Sequence, residues 1–170
     1  MEEEENYAEH PHMPLLRAAY VDFRAGHPQA ALDRIEPVLL ADAVAQLPSL
    51  VSSLLWALAG DAYFKLGRYE NGFIVYRKAL ELDPTCGCLA LFAREVANHQ
   101  RFEDAEFALK CLDVERVANR TAWKNHFWHV LWHSLDFDAI WFRLAILPRT
   151  RRRLRRLAIE HRNVKAFDPR

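Results

Sequence analysis

The sequence predicts an all-α chain of antiparallel helix pairs, and three observations carry that reading. Apolar residues recur three and four apart through most of the chain, which is the helical period. Glycine and proline interrupt the pattern at regular intervals and leave short connections between the periodic segments. No segment alternates apolar and polar residues as a half-buried strand would.

Taken in order, residues 1–12 are acidic and lack an apolar period, so they are expected to form a disordered arm. Pro14 suits a first helical turn, and Gly26 can end that helix. His27-Pro28 restarts the period with Ala31, Leu32, Ile35, Val38 and Leu39, while Pro37 inside it predicts a kink or late break. Pro48-Ser49 opens a strong helix over residues 50–66, closed by Gly67. A helix over residues 69–82 follows and ends at Asp83-Pro84, and two more segments cover residues 86–99 and 102–112. Thr121 is placed to N-cap a helix to residue 134. Asp136 opens another, stopped by Pro148, and Thr150 is placed to cap a final one.

These pairs recur about every 34 residues, and a period of that size signals a stack of helical repeats. The clearest unit carries Trp56, Ala59-Gly60, Tyr63, Gly67, Tyr69, Tyr76, Ala79 and Pro84. That set resembles the tetratricopeptide repeat. Each residue has a mechanical role: Gly60 would admit the second helix, Tyr63 and Tyr76 would fill the gap, and Ala79 would admit the next repeat. Pro84 cannot continue the helix and forces a turn. Gly72 departs from the family's alanine, at a helix-propensity cost of about 1 kcal/mol. Shifting back by 41 residues places Gly26, Ala31, Ile35 and Val38 on Gly67, Gly72, Tyr76 and Ala79. Shifting forward by 33 places Phe102, Ala105, Leu109 and Leu112 on Tyr69, Gly72, Tyr76 and Ala79. A last unit places Phe137, Ile140, Leu144 and Leu147 on the same ladder.

The resemblance implies a short solenoid whose first helices line a concave face that holds a partner peptide or helix without chemistry of its own. The expected organisation is an acidic arm over 1–12, a repeat domain over 13–147 with its clearest unit at about 53–86, and an Arg-rich terminal helix and tail over 148–170. Some members of the family clamp the carboxyl tails of heat-shock chaperones with Lys, Asn and Arg. At the matching positions this chain has Ala57 and Asp61, which offer no cation, so the resemblance does not extend to that ligand.

Among 170 residues, 23 Lys+Arg balance 23 Asp+Glu, yet the balance hides a polarity. Residues 1–148 hold 14 basic and 21 acidic groups, whereas residues 149–170 hold 9 basic and 2 acidic. The length and a hydrophobic content of 51% fit one folded domain and exclude a wholly disordered chain. Cys86, Cys88 and Cys111 are an odd set without framework spacing, so free thiols in a reducing, intracellular and most simply cytoplasmic setting are expected. Glu2 to Glu5 are the opposite of a cationic leader. The apolar stretch 127–147 is broken by His129, His133, Asp136, Asp138 and Arg143, so no transmembrane segment is expected.

Arg149, Arg151, Arg152, Arg153, Arg155 and Arg156 crowd eight residues, with Leu154, Leu157, His161 and Val164 forming an apolar stripe beside Ala158. The like charges stand four apart at the positive end of a helix, an arrangement that costs roughly 0.2–0.5 kcal/mol per pair. An anionic partner would offset that cost. An acidic protein surface is the first expectation, and RNA or DNA phosphate, as in an RNA-associated accessory protein, is the second. Without interleaved aromatics, such phosphate contact would be salt-dependent and blind to sequence. Anionic lipid, with Trp141 and Phe142 as neighbours, and the chain's own Glu2–Glu5 arm are the remaining options.

His126, His129 and His133 share about a 60° arc of one helix, which brings imidazoles to one side as a metal site would need. No adjacent Glu or Cys completes a set, so a polar or inter-subunit face is the simpler expectation. Trp123, Trp128, Trp132 and Trp141 are expected in the core, with a partner interface as the alternative. Cys86-Gly87-Cys88 lacks the usual redox spacing, and Asp136-Phe137-Asp138 is a short acidic pair; both are given structural roles. With no phosphate loop, dinucleotide fingerprint or nucleophile elbow, neither a cofactor nor catalysis is expected.

Overall fold

The computed structural model describes residues 10–41, 47–133 and 147–167, with side chains for all of these except 119–133 and 164–167. Seven helices run through them: α1 Met13–Arg24, α2 Pro28–Leu40, α3 Ser49–Lys65, α4 Tyr69–Leu82, α5 Leu89–Asn98, α6 Phe102–His133 and α7 Leu147–Phe167. There is no strand among the described residues. The chain divides into two compact units between Cys88 and Leu89, inside the segment expected as one repeat domain. Repeats touch mainly their neighbours, so such a division falls naturally between them.

In the first unit α1 packs on α2 and α3 on α4, while α3 also meets α1 and α2. That central position explains the composition of α3, which buries apolar residues on more than one face. Its Val51, Leu55, Leu58, Ala59 and Ala62 join Ala19, Ala31, Leu32, Ile35, Leu39 and Val75 in one core. Buried Ser53 is satisfied locally, its hydroxyl donating to the Leu50 carbonyl at 2.9 Å. In the second unit α6 packs on α5 and α7, and α7 also packs on α5. Phe92, Ala93, Val96, Ala105, Ala108, Leu112, Leu154 and Ala158 are buried there.

The repeat is written into the backbone. The chain takes positive φ at Gly26 (+87°), Gly67 (+71°) and Gln100 (+53°), the three positions that the shifts of 41 and 33 residues superpose. Each closes its helix with the same backbone bond, running from the following residue to a carbonyl five residues back. His27 donates to Asp22 at 3.0 Å, Arg68 to Tyr63 at 2.9 Å and Arg101 to Val96 at 3.0 Å. This is the Schellman closure, which satisfies carbonyls left over at a helix end. The side chains keep the same register. Ala19, Gly60 and Ala93 are small and buried on the first helices, and Ala31, Gly72 and Ala105 on the second.

Gln100 occupies a conformation that glycine adopts without steric cost. Gln100→Gly is therefore expected to stabilise the chain by roughly 0.5–1 kcal/mol, read as a higher urea midpoint at unchanged slope.

Four local expectations need correction. The helix beginning at Phe102 does not stop at Leu112 for a new start at Thr121; α6 runs unbroken to His133. Residues 113–120 contain neither glycine nor proline, so nothing there outweighs helix propagation. Pro37 neither breaks nor ends α2, which continues to Leu40. It lies on the exposed side near the end, where Asp33, also exposed, is the residue deprived of a backbone donor. Pro148 does not end a preceding helix at Leu147; both residues begin α7, where a first-turn proline is tolerated. Consequently Thr150 is not a cap but a buried residue inside that helix. Residues 1–9 of the acidic arm expected over 1–12, the helix from Asp136 and the ladder residues Phe137, Ile140 and Leu144 lie outside the described residues.

Candidate functional site

The best-matched unit, α3 with α4, is held together by the residues of its signature. A β-carbon at Gly60 would fall well inside van der Waals contact of the Tyr76 ring, so the ring fits only because the side chain opposite it is hydrogen. Tyr76 is fully buried, and its hydroxyl donates to Asp61 on α3. Burial pushes the Asp61 carboxyl above its ordinary value, against the opposing effects of the Tyr76 hydroxyl and Lys65. Tyr63 reaches the other way, its hydroxyl donating to Glu36 of α2 at 2.6 Å and tying the pair to the preceding one. Lys78 places its ammonium 4.4 Å from the Trp56 ring centre. Ala79 is fully buried, and Pro84 lies in the turn after α4.

Phe64 is the member that the sequence pattern did not single out. Its ring stacks on Tyr76 at 5.1 Å, meets Phe73 edge-on at 5.1 Å and touches Tyr69 at 5.8 Å. A β-carbon on Gly72 would come within 2.6 Å of the same ring, which accounts for glycine where the family prefers alanine. An aromatic one residue after Tyr63, with Tyr69, Phe73 and Tyr76 following, was the available signal.

The six arginines of α7 divide into two sets. Arg151 points inward, donating from Nη2 to the Leu112 carbonyl at 2.5 Å and reaching Asp113 at 3.3 Å. Arg153 donates to the Ala97 carbonyl at 3.1 Å and to Asn98 Oδ1 at 3.3 Å, placing a cation at the negative end of α5. Arg149, Arg152, Arg155 and Arg156 are exposed, with no ion pair to a described residue. At 3.6 residues per turn these four share about 120° of the helix surface. Thr150, Leu154, Leu157 and Ala158 are buried on the opposite side. Further along, Arg162 pairs with Glu106 of α6 at 2.5 Å. The helix is thus anchored by an apolar stripe and by the hydrogen bonds of the partly buried Arg151 and the exposed Arg153, and presents the other four together.

The backbone of α6 carries His126, His129, His133, Trp123, Trp128 and Trp132, but their side chains lie outside the described residues, as does Trp141 altogether. Among the described residues no three His, Cys, Asp or Glu side chains gather as a metal site would require. No described helix is long and apolar enough to cross a membrane.

With this geometry in place, comparison with known proteins gives one match. The family model of the tetratricopeptide repeat matches residues 54–86, which take in most of α3, all of α4 and the first part of the turn after it. No curated protein and no solved structure matches the chain. The match bears out the resemblance read from Trp56 through Pro84, and the packed helix pairs are consistent with an all-α fold of tetratricopeptide type. A repeat of this kind points to a protein–protein interaction module.

Proposed function

We propose that this chain is a non-catalytic adaptor or assembly subunit. It holds a partner segment on the face lined by the first helices of its repeats, and it docks an acidic protein surface through Arg149, Arg152, Arg155 and Arg156. The observation that carries the docking role is the division of the arginines. A capping helix needs its buried stripe and the two arginines bonded to α5 and α6; it does not need four further cations on one face, two of them, Arg152 and Arg156, like charges four residues apart. Chaperone carboxylate tails are not the partner in this reading. Ala57 is buried and Asp61 is occupied by Tyr76, so the matching positions supply no donor. A cytoplasmic setting completes the proposal, in keeping with three cysteines that are all free.

The test compares the intact chain with a variant carrying Arg149→Gln, Arg152→Gln, Arg155→Gln and Arg156→Gln, using fluorescently labelled probes of equal length. One probe is a glutamate-rich peptide and the other a single-stranded RNA. The variant is expected to bind the peptide at least about tenfold more weakly at low salt, the loss of about 1.4 kcal/mol. Binding of RNA alone, with a salt slope that the variant abolishes, would replace the acidic protein partner by nucleic acid. Equal peptide binding by both chains would refute docking through this face.

A further inference from the structure

Cys86 and Cys88 stand in the turn between α4 and α5, separated by Gly87, and their structural arrangement goes beyond a packing role. Both are free and buried, at 5% and 6% exposure, yet Thr85 and Gly87 beside them are exposed, so the thiols lie one layer beneath the surface. The two cysteines share one turn, and Cys88 is the neighbour that most strongly perturbs the Cys86 thiol. Cys86 further lies 4.0 Å from the Ser53 carbonyl of α3. Residues two apart in a turn stand roughly 5–7 Å apart between α-carbons, a range that overlaps the roughly 4.4–6.8 Å a disulfide usually spans. Gly87 has open space where a side chain would stand, so nothing packs over the turn at that residue.

We propose that Cys86 and Cys88 form an oxidation site, at which a hydroperoxide converts the dithiol into a disulfide that closes the α4–α5 turn. The Cys86 thiolate attacks one peroxide oxygen and the O–O bond breaks. The departing oxygen leaves as water or alcohol after taking a proton, and Cys86 becomes a sulfenic acid. The sulfur of Cys88, giving up its own proton, then attacks the Cys86 sulfur. The S–O bond breaks, hydroxide leaves with that proton as water, and the S–S bond forms. In all, two thiols lose two protons and two electrons, and the peroxide is reduced to one water and one alcohol, or to two waters.

The order of attack follows from the surroundings. The hydrogen bonds from Cys88 hold the Cys86 thiol down at about 7, in spite of burial and of the nearby Asp83 and Asp61 carboxylates. The same bond, burial and the Cys86 charge push the Cys88 thiol upward. Cys111, buried in the other unit, serves as an internal reference.

The experiment treats the full native chain with dilute hydrogen peroxide near neutral pH, quenches it under denaturing conditions with a thiol alkylator, and maps each cysteine by mass spectrometry. The expected result is a segment containing residues 86–88 that is lighter by two hydrogens, carries no alkyl label and is restored by dithiothreitol. Its formation should be at least about tenfold faster than oxidation of Cys111. In Cys88→Ser, a dimedone adduct should appear on residue 86, and in Cys86→Ser neither disulfide nor fast oxidation should remain. Full alkylation of Cys86 and Cys88 after peroxide treatment of the unaltered chain would overturn the proposal. So would oxidation led by Cys111, or a disulfide formed only between chains. The decisive measurement is made on the natural sequence and does not depend on how the serine variants fold.

Discussion

Leu154→Ala in α7 should destabilise the chain by about 3 kcal/mol, visible as a lower urea midpoint in circular dichroism. Leu154 is fully buried, flanked by Thr150, Leu157 and Ala158, on a helix that packs against both α5 and α6. Truncation to alanine removes apolar area and leaves a cavity that two neighbouring helices cannot both collapse to fill. Arg156→Ala on the exposed face is the control and should stay within about 0.5 kcal/mol. Equal midpoints for the two variants would show that α7 is an appendage. The distinction also decides how the arginines should be studied. Removing the chain beyond Pro148 would strip Leu154 from the core, Arg151 from the Leu112 carbonyl and Arg153 from the end of α5. Loss of binding after such a truncation would report a damaged unit, whereas substituting the four outward arginines leaves those contacts in place.

Gly60→Ala should cost about 2 kcal/mol, although alanine is by itself the better helix former by about 1 kcal/mol. The new β-carbon would meet the Tyr76 ring, which is fully buried and cannot retreat into solvent. The sign should depend on the partner. In a Tyr76→Ile background, which copies the register-equivalent Ile35, the same substitution should be neutral or stabilising by up to about 1 kcal/mol. Denaturation of the four chains of this cycle supplies the coupling. A penalty for Gly60→Ala that persists in the Tyr76→Ile background would mean that the ring is not its cause.

The places where sequence reasoning succeeded and failed share a physical logic. Gly26 and Gly67 announced their turns because glycine is what a left-handed closure favours. Gln100 makes the same closure without the same advertisement, and only the register of Phe102 on Tyr69 pointed to it. Trp56, Gly60 and Tyr76 were legible because the pair packs through them, and the family model matches the segment that contains them. The unbroken course of α6 was not, since a threonine that can cap a helix can equally continue one, and only tertiary packing chooses. For the arginines, composition revealed a cluster but not its division. Arg151 and Arg153 are covalently like their neighbours, and they differ only in facing the carbonyls of α5 and α6. That difference depends on where other helices lie, which no local pattern encodes.

The contact between Gly60 and Tyr76 has a further consequence for how the chain avoids assembling incorrectly. Repeats with similar backbones risk exchanging partners during folding, because each first helix offers an apolar face to several second helices. Here the equivalent positions have Ala19 with Ile35, Gly60 with Tyr76 and Ala93 with Leu109. An alanine on the first helix obstructs the tyrosine ring, and an isoleucine or leucine opposite Gly60 leaves a void. Mismatched pairings therefore carry steric or cavity penalties, and a difference of one methyl group serves as an address label that tells each helix which neighbour is its own.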